Sequence, residues 1–315
     1  MDRGSGLVAE SFGSIHPMSI SNQQLETWSN QGGTGISSKV YASIQHSLTK
    51  DSSPLNGRGV EIFLQGSYAN DTNTHGDSDV DVVVLCKDSF RSDLTALTPQ
   101  LQKLHQETFP NASYLWEHLR DDVLAALRAH YGNAAVQQGK KAIKVKTGDG
   151  RMTADVLPAI GFRRYATFVD KDNLTAHWGI HFVDSNGIGI TNYPKYHIER
   201  GQSKNGVDRT KGRYKPTIRL FKNFRSFMVD KGHLDASVAP SYFIECALHN
   251  VPDAVFQGEF RTTVPAIIEN LRHAPYANLR SQNGVTSLIG TGPTQWTQDH
   301  FTAFINTAKD VWDGS

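Results

Sequence analysis

Four polar positions in the first half of the chain stand out by type and spacing. Asp79 and Asp81 sit two apart in Asp79-Val80-Asp81-Val82-Val83-Val84, a β-branched run that reads as a strand. Residues two apart on a strand share a face, so both carboxylates point one way while Val80 and Val82 point into a core. Two carboxylates side by side repel unless a cation lies between them, and Mg²⁺, with its preference for carboxylate and phosphate oxygens, suits that place. Upstream, Val60-Glu61-Ile62-Phe63-Leu64 supplies a first strand, followed by the turn Gln65-Gly66-Ser67. Gly66 permits close backbone approach to a phosphate, and Ser67 is placed to cap a following helix whose first N–H groups face an anion. A third acid, Asp155, lies mid-strand in Thr153-Ala154-Asp155-Val156-Leu157, where a lone charge is costly without a partner. That strand pairs as a hairpin with Lys144-Val145-Lys146 across Thr147-Gly148-Asp149-Gly150. The chemistry implied is a metal-assisted reaction on a nucleoside triphosphate.

The remaining elements are those needed to hold this centre. Val40, Ile44 and Leu48 recur every fourth residue after Ser37-Ser38 and predict a core-facing helix; Leu115, Leu119, Val123, Leu127 and Tyr131 predict another, ending at Gly132. Lys144 and Lys146 share a strand face that is either solvated or turned to phosphate. A further hairpin is expected over 176–192, where His177 and His181 lie about 13 Å apart and make no metal pair. The polar, basic stretch 202–215 reads as a long loop, with Lys204, Arg209, Lys211, Arg213 and Lys215 suited to a mobile edge over phosphates or to plain solvation. Pro216 opens a helix carrying Arg219 and Lys222 three apart, within reach of a triphosphate. Pro240-Ser241-Tyr242 starts the next, placing Tyr242 either in the core or where its ring can stack on a base. Amphipathic helices follow at 264–272 and 297–312. The expected fold class is α+β: a mixed sheet packed against a helical C-terminal lobe with the cleft between them. The expected divisions are an N-terminal segment 1–36, partly flexible; a catalytic core 37–205; and a helical lobe 206–315.

Composition narrows the class. Thirty-two Lys and Arg against 31 Asp and Glu imply no global attraction to nucleic acid or membrane. Cys86 and Cys246 make neither a disulfide spacing nor a metal motif, so a reducing cytoplasm is expected. No apolar run is long enough for a bilayer span.

Gly66-Ser67, eleven residues (68–78) and then Asp79-Val80-Asp81, resembles the DNA polymerase β-like nucleotidyltransferases. Adding Asp155 before Leu157-Pro158, the Arg219/Lys222 helix and Ser241-Tyr242-Phe243-Ile244-Glu245, the chain from about residue 37 onward is similar to the bacterial cGAS/DncV-like nucleotidyltransferases (CD-NTases) of CBASS antiphage defence. The resemblance implies two Mg²⁺ ions, or Mn²⁺ in their place, on Asp79 and Asp81, with Asp155 ligating one and helping to deprotonate the attacking hydroxyl. It implies that Gln65, Gly66 and Ser67 contact the triphosphate, that Arg219, Lys222 and Ser241 face the nucleotide, and that Tyr242 stacks on its base. The implied activity joins ATP and GTP, or other NTPs, into a cyclic di- or trinucleotide, with cyclic GMP-AMP the product expected, read by a separate effector protein. No Cys/His insert is present, so activation by DNA is not expected. The same residues also suit transfer of one nucleotide to a small molecule, protein or RNA, or a non-catalytic nucleotide-binding module.

Overall fold

The computed structural model describes residues 20–33, 35–75, 79–147 and 152–314. Its sheet is seven-stranded: β1 (Val60–Leu64), β2 (Asp79–Asp93), β3 (Val136–Gln138), β4 (Ile143–Thr147), β5 (Met152–Phe168), β6 (Leu174–Val183) and β7 (Gly189–Asn192). The path runs β1-β2-β5-β4-β3, with β6 on the far half of β5 and β7 beyond it. β2 and β5 are parallel and the other pairs antiparallel, which makes the sheet mixed. β2 is longer than its apolar run suggests. Between Cys86 and Phe90 it bulges against the consecutive pair Ile160–Gly161, and the bend lets the same two strands continue to Asp93 and Arg164.

The helices are α1 (Asn22–Ser29), α2 (Gly35–Thr49), α3 (Gly66–Asn70), α4 (Pro99–Thr108), α5 (Trp116–Tyr131), α6 (Pro194–Lys204), α7 (Val207–Thr210), α8 (Tyr214–Asp230), α9 (Ser241–His249), α10 (Phe260–Arg272) and α11 (Gln298–Asp313). α2 buries Val40, Ile44 and Leu48, and α5 buries Leu119, Val123 and Leu127, against β2, β4 and β5, with Tyr131 partly buried beside them; Leu115 of the expected stripe is instead the cap of α5 and is half-exposed. A separate aromatic core, including Phe221, Phe224, Phe256, Trp296, Phe301 and Phe304, holds the helical lobe. Among the described residues no helix is long and apolar enough to cross a membrane. Both cysteines are buried and unpaired.

Two of the expected elements change. The stretch 202–215 is not a loop: it ends α6, forms α7 and begins α8. Several of its charges are committed, with Lys204 donating to the Val251 carbonyl (2.7 Å) and to Asp253 (2.8 Å), Arg209 pairing with Asp253 (2.7 Å) and Arg213 lying over the Phe260 ring (4.2 Å), while Lys211 is exposed. Fixed by these partners, it is no mobile edge over phosphates. Of the segment 1–36, the described Ile20 and Leu25 belong to the helical-lobe core, and Trp28 stacks on Phe224 at 5.9 Å. Residues 1–19, and the 148–150 part of the turn before β5, lie outside the described residues. Finally, α2 begins at Gly35, which puts Ser37 and Ser38 inside its first turn rather than at its cap.

Candidate active site

β1 delivers the chain to the Gln65 turn, and β2 carries it back through the carboxylates. The Gln65 N–H donates to the Asp81 carbonyl at 3.0 Å, fixing the turn to the strand. Gly66 adopts φ +68°, the left-handed region that other L-residues avoid, and a Cβ there would collide with Asp81 Oδ2. The missing side chain is the space that the Asp81 carboxylate occupies. Ser67 follows as the second residue of α3, whose cap is Gln65; Ser67 is therefore not the cap, and it lines the cleft. Gly66→Ala is expected to cost about 1–2 kcal/mol of stability and to displace Asp81 enough to lower turnover by roughly 10²-fold. Paired thermal melts and initial rates check it, and a rate within about twofold of wild type would remove Gly66 from the site.

The parallel register of β2 and β5 sets Asp81 beside Asp155 and Asp79 beside Thr153, while Val80, Val82, Ala154 and Val156 are fully buried beneath. Three carboxylates therefore occupy one sheet face. The Thr153 hydroxyl donates to Asp79 Oδ1. Asp155 is half-buried; burial first, and then the neighbouring Asp79 charge, push its carboxyl above the usual range against the opposing pull of Lys144. Lys144, opposite Asp155 on β4, stands 3.9 Å from Asp155 Oδ1, which is buried with no hydrogen-bond donor. Among the described residues no three acidic, His or Cys groups converge into a closed cage. Asp79 accepts from the Thr153 hydroxyl, and Asp155 Oδ1 stands 3.9 Å from Lys144. An orphaned buried oxygen beside two more carboxylates on a common face is nevertheless a donor set that fits a hard divalent cation.

The face forms the floor of a cleft of about 750 Å³. Gln65, Gly66, Ser67, Asp79, Asp81 and Asp155 line it from the core, and Lys222, Ser241 and Tyr242 from the helical lobe. Phe182, Ile190 and Asn192 of the β6–β7 hairpin close one side, and Lys141 reaches it from the turn before β4.

Arg219 does not line this cleft. Its guanidinium donates to the carbonyls of Ser29 and Asp71, both at 2.6 Å. Lys215, Arg219 and Lys222 fall at i, i+4 and i+7 on α8, one face of the helix, and all three engage the Asp71–Thr72 loop that follows α3. Lys215 pairs with Asp71 Oδ2 (2.7 Å), and Lys222 donates to the Thr72 carbonyl (3.0 Å) and hydroxyl (3.2 Å). The basic stripe is thus a clamp between lobe and core. Arg219 belongs to the clamp and lies off the cleft wall, rather than among the cleft-lining residues where it was expected. Lys222 keeps a place on the cleft wall, with its third proton on Glu245 Oε1 at 2.7 Å.

Glu245 and His197 had no assigned role in the sequence, yet they are the buried hub of the site. The two Glu245 oxygens accept from Lys222 and Thr72 (both 2.7 Å) and from His197 Nε2 (2.9 Å) and Asn70 (3.2 Å). These partners come from α8, α6 and the α3 segment, so one carboxylate ties lobe to core. A signal existed in the lone acid of Tyr242-Phe243-Ile244-Glu245-Cys246-Ala247-Leu248, an apolar stretch where a charge requires partners. Nothing in the spacing named them.

Comparison with known proteins agrees with this two-part construction. Residues 48–131 match the nucleotidyltransferase domain, and residues 199–313 match the cGAS/DncV-like nucleotidyltransferase C-terminal helical domain. The chain is 38% identical over 297 residues to the cyclic UMP-AMP synthase of Rhodothermus marinus, covering 94% of this chain and 99% of that protein. It is 34% identical to the cyclic nucleotide synthase CdnE01 of Staphylococcus haemolyticus, again over 94% and 99% of the two chains. The solved structure of the R. marinus CdnE synthase with Apcpp and Upnpp superposes with a TM-score of 0.84, covering 94% of this chain and 97% of that one. With the three carboxylates on one sheet face and the helical lobe across the cleft, the chain belongs to the cGAS/DncV-like nucleotidyltransferases, the CD-NTases.

Proposed function

We propose that the chain is a cyclic dinucleotide synthase, joining two NTPs through two successive phosphodiester bonds with release of two pyrophosphates. The observation that carries this reading is the parallel register of Asp81 and Asp155, which puts three carboxylates on the floor of a cleft roofed by Tyr242 and Ser241. Asp79, Asp81 and Asp155 are the residues that would hold Mg²⁺, or Mn²⁺ in its place. When bound, the metal supplies neutralising charge for the triphosphate and acidifies the attacking hydroxyl. Asp155, beside Asp81 on the cleft floor, accepts the proton of the acceptor's 2′ or 3′ hydroxyl as that oxygen attacks the donor's α-phosphorus and pyrophosphate leaves. The Gln65–Ser67 turn cradles the triphosphate, and Tyr242 lays its ring on the donor base. A second transfer, with the linear product turned round in the cleft, closes the ring.

The relatives' products bear on the bases. Similarity to the cyclic UMP-AMP synthase (38%) exceeds that to the cyclic GMP-AMP synthase CdnE03 of Staphylococcus schleiferi (26% over 262 residues), so we favour a ring containing UMP and AMP over the GMP-AMP expected from the sequence. A diffusible signal of this kind implies a separate effector that reads it, in keeping with an antiphage role. The test is incubation with all four labelled NTPs and Mg²⁺, phosphatase digestion and mass spectrometry. A phosphatase-resistant cyclic product names the bases at once. Linear single additions alone would replace this reading with nucleotide transfer to another acceptor.

A further inference from the structure

Tyr242 is held in one orientation by its surroundings. The His197 imidazole stacks on one face of its ring, with centroids 5.3 Å apart and planes at 23°. Phe243 meets it at 5.4 Å and 69°, itself stacked on Trp296 at 5.6 Å and 11°, and Asn283 Nδ2 approaches the phenol oxygen at 3.5 Å. His197 in turn has no freedom. Its Nε2 bonds to Glu245 Oε2 at 2.9 Å, its carbonyl accepts from Gln282 at 2.7 Å, and its side chain is 6% exposed. Gln282 is anchored by the Tyr214 hydroxyl at 2.7 Å. The result is a layered arrangement in which the imidazole lies parallel to the phenol ring, and both residues line the cleft.

We propose that His197 is a positioning residue for nucleotide binding: its imidazole plate fixes the plane of the Tyr242 ring on which a nucleobase stacks. The proposal rests on the reading of Tyr242 as the base platform. A tyrosine ring free to rotate about χ1 and χ2 loses rotamer freedom whenever a base lies on it, and that cost reduces affinity. A ring already held in place avoids most of the loss. A planar aromatic backing is needed for this, whereas the bond to Glu245 needs only a donor. The two requirements can be separated by substitution.

His197→Gln keeps an N–H donor near Glu245 and loses the plate; His197→Phe keeps the plate and loses the donor. The readout is the dissociation constant of non-hydrolysable NTP analogues by calorimetry, using whichever of the four bases binds wild type most tightly. His197→Gln is expected to weaken binding about five- to tenfold, and His197→Phe less than about twofold. In a Tyr242→Ala background, His197→Gln is expected to add less than about twofold, because the residue acts through the ring. Unchanged binding by His197→Gln, or the same loss with Tyr242 absent, overturns the proposal. Binding that Tyr242→Ala leaves unchanged removes the Tyr242 platform, so failure of the underlying reading is distinguishable from failure of His197 alone.

Discussion

Asp79→Asn/Asp81→Asn is expected to abolish nucleotide incorporation, by roughly a thousandfold or more, while leaving the protein folded. Interactions worth several kcal/mol at the reacting phosphate are lost together, and each 1.36 kcal/mol is a tenfold change in rate. Stability is expected to hold, since two neighbouring like charges are removed and the amide replacing the Asp79 carboxylate retains an oxygen for the Thr153 hydroxyl donor. Thermal melts with and without Mg²⁺ and a non-hydrolysable NTP supply a second readout: wild type is stabilised by the pair of ligands, and the variant is not. A variant within about tenfold of wild type would mean that these carboxylates are not the reaction centre.

Glu245→Ala is expected to have the largest effect on stability, about 3–5 kcal/mol, because it leaves the buried Lys222 and His197 without their shared partner. The melting temperature should fall by roughly ten degrees; a fall of only about two degrees would show that water or rearrangement replaces the carboxylate. The hub also predicts a pH dependence. Burial opposes ionisation of Glu245, but Lys222 and His197 outweigh it and hold the carboxyl well below its usual range, so its contribution is present above that range and is lost only in strong acid. Burial likewise opposes a charged His197, yet the Cys246 thiol and the Glu245 carboxylate push it up to about 9 from 6.5. Its contribution is complete below 6.5 and is lost as the pH rises through about 9. Wild type should therefore lose stability on the alkaline side, while Glu245→Gln, which lacks the carboxylate that raises His197, should show a flatter alkaline limb. Parallel limbs for the two proteins would count against the assignment.

The local elements and the reacting groups were legible in the residues alone. Alternation in a β-branched run placed Asp79 and Asp81 on one face. The hairpin signals at 147–150 and 185–187 marked strand pairs that the structure contains as β4–β5 and β6–β7. Helical apolar spacing identified α2 and α5, and amphipathic segments marked α10 and α11. These are short-range properties, set by backbone geometry and by which side chains can share a face. The partner of each charge, by contrast, was settled by long-range packing. Arg219 and Lys222 look alike along α8, yet one turns to the Ser29 and Asp71 carbonyls and the other to Glu245 at the cleft wall. Lys204 and Arg209 suggested a solvated loop until Asp253, far along the chain, gave them helical positions to hold. Periodicity specifies a face but not what is packed against it; for a buried charge, the group across the interface determines whether it meets a ligand or clamps two lobes together.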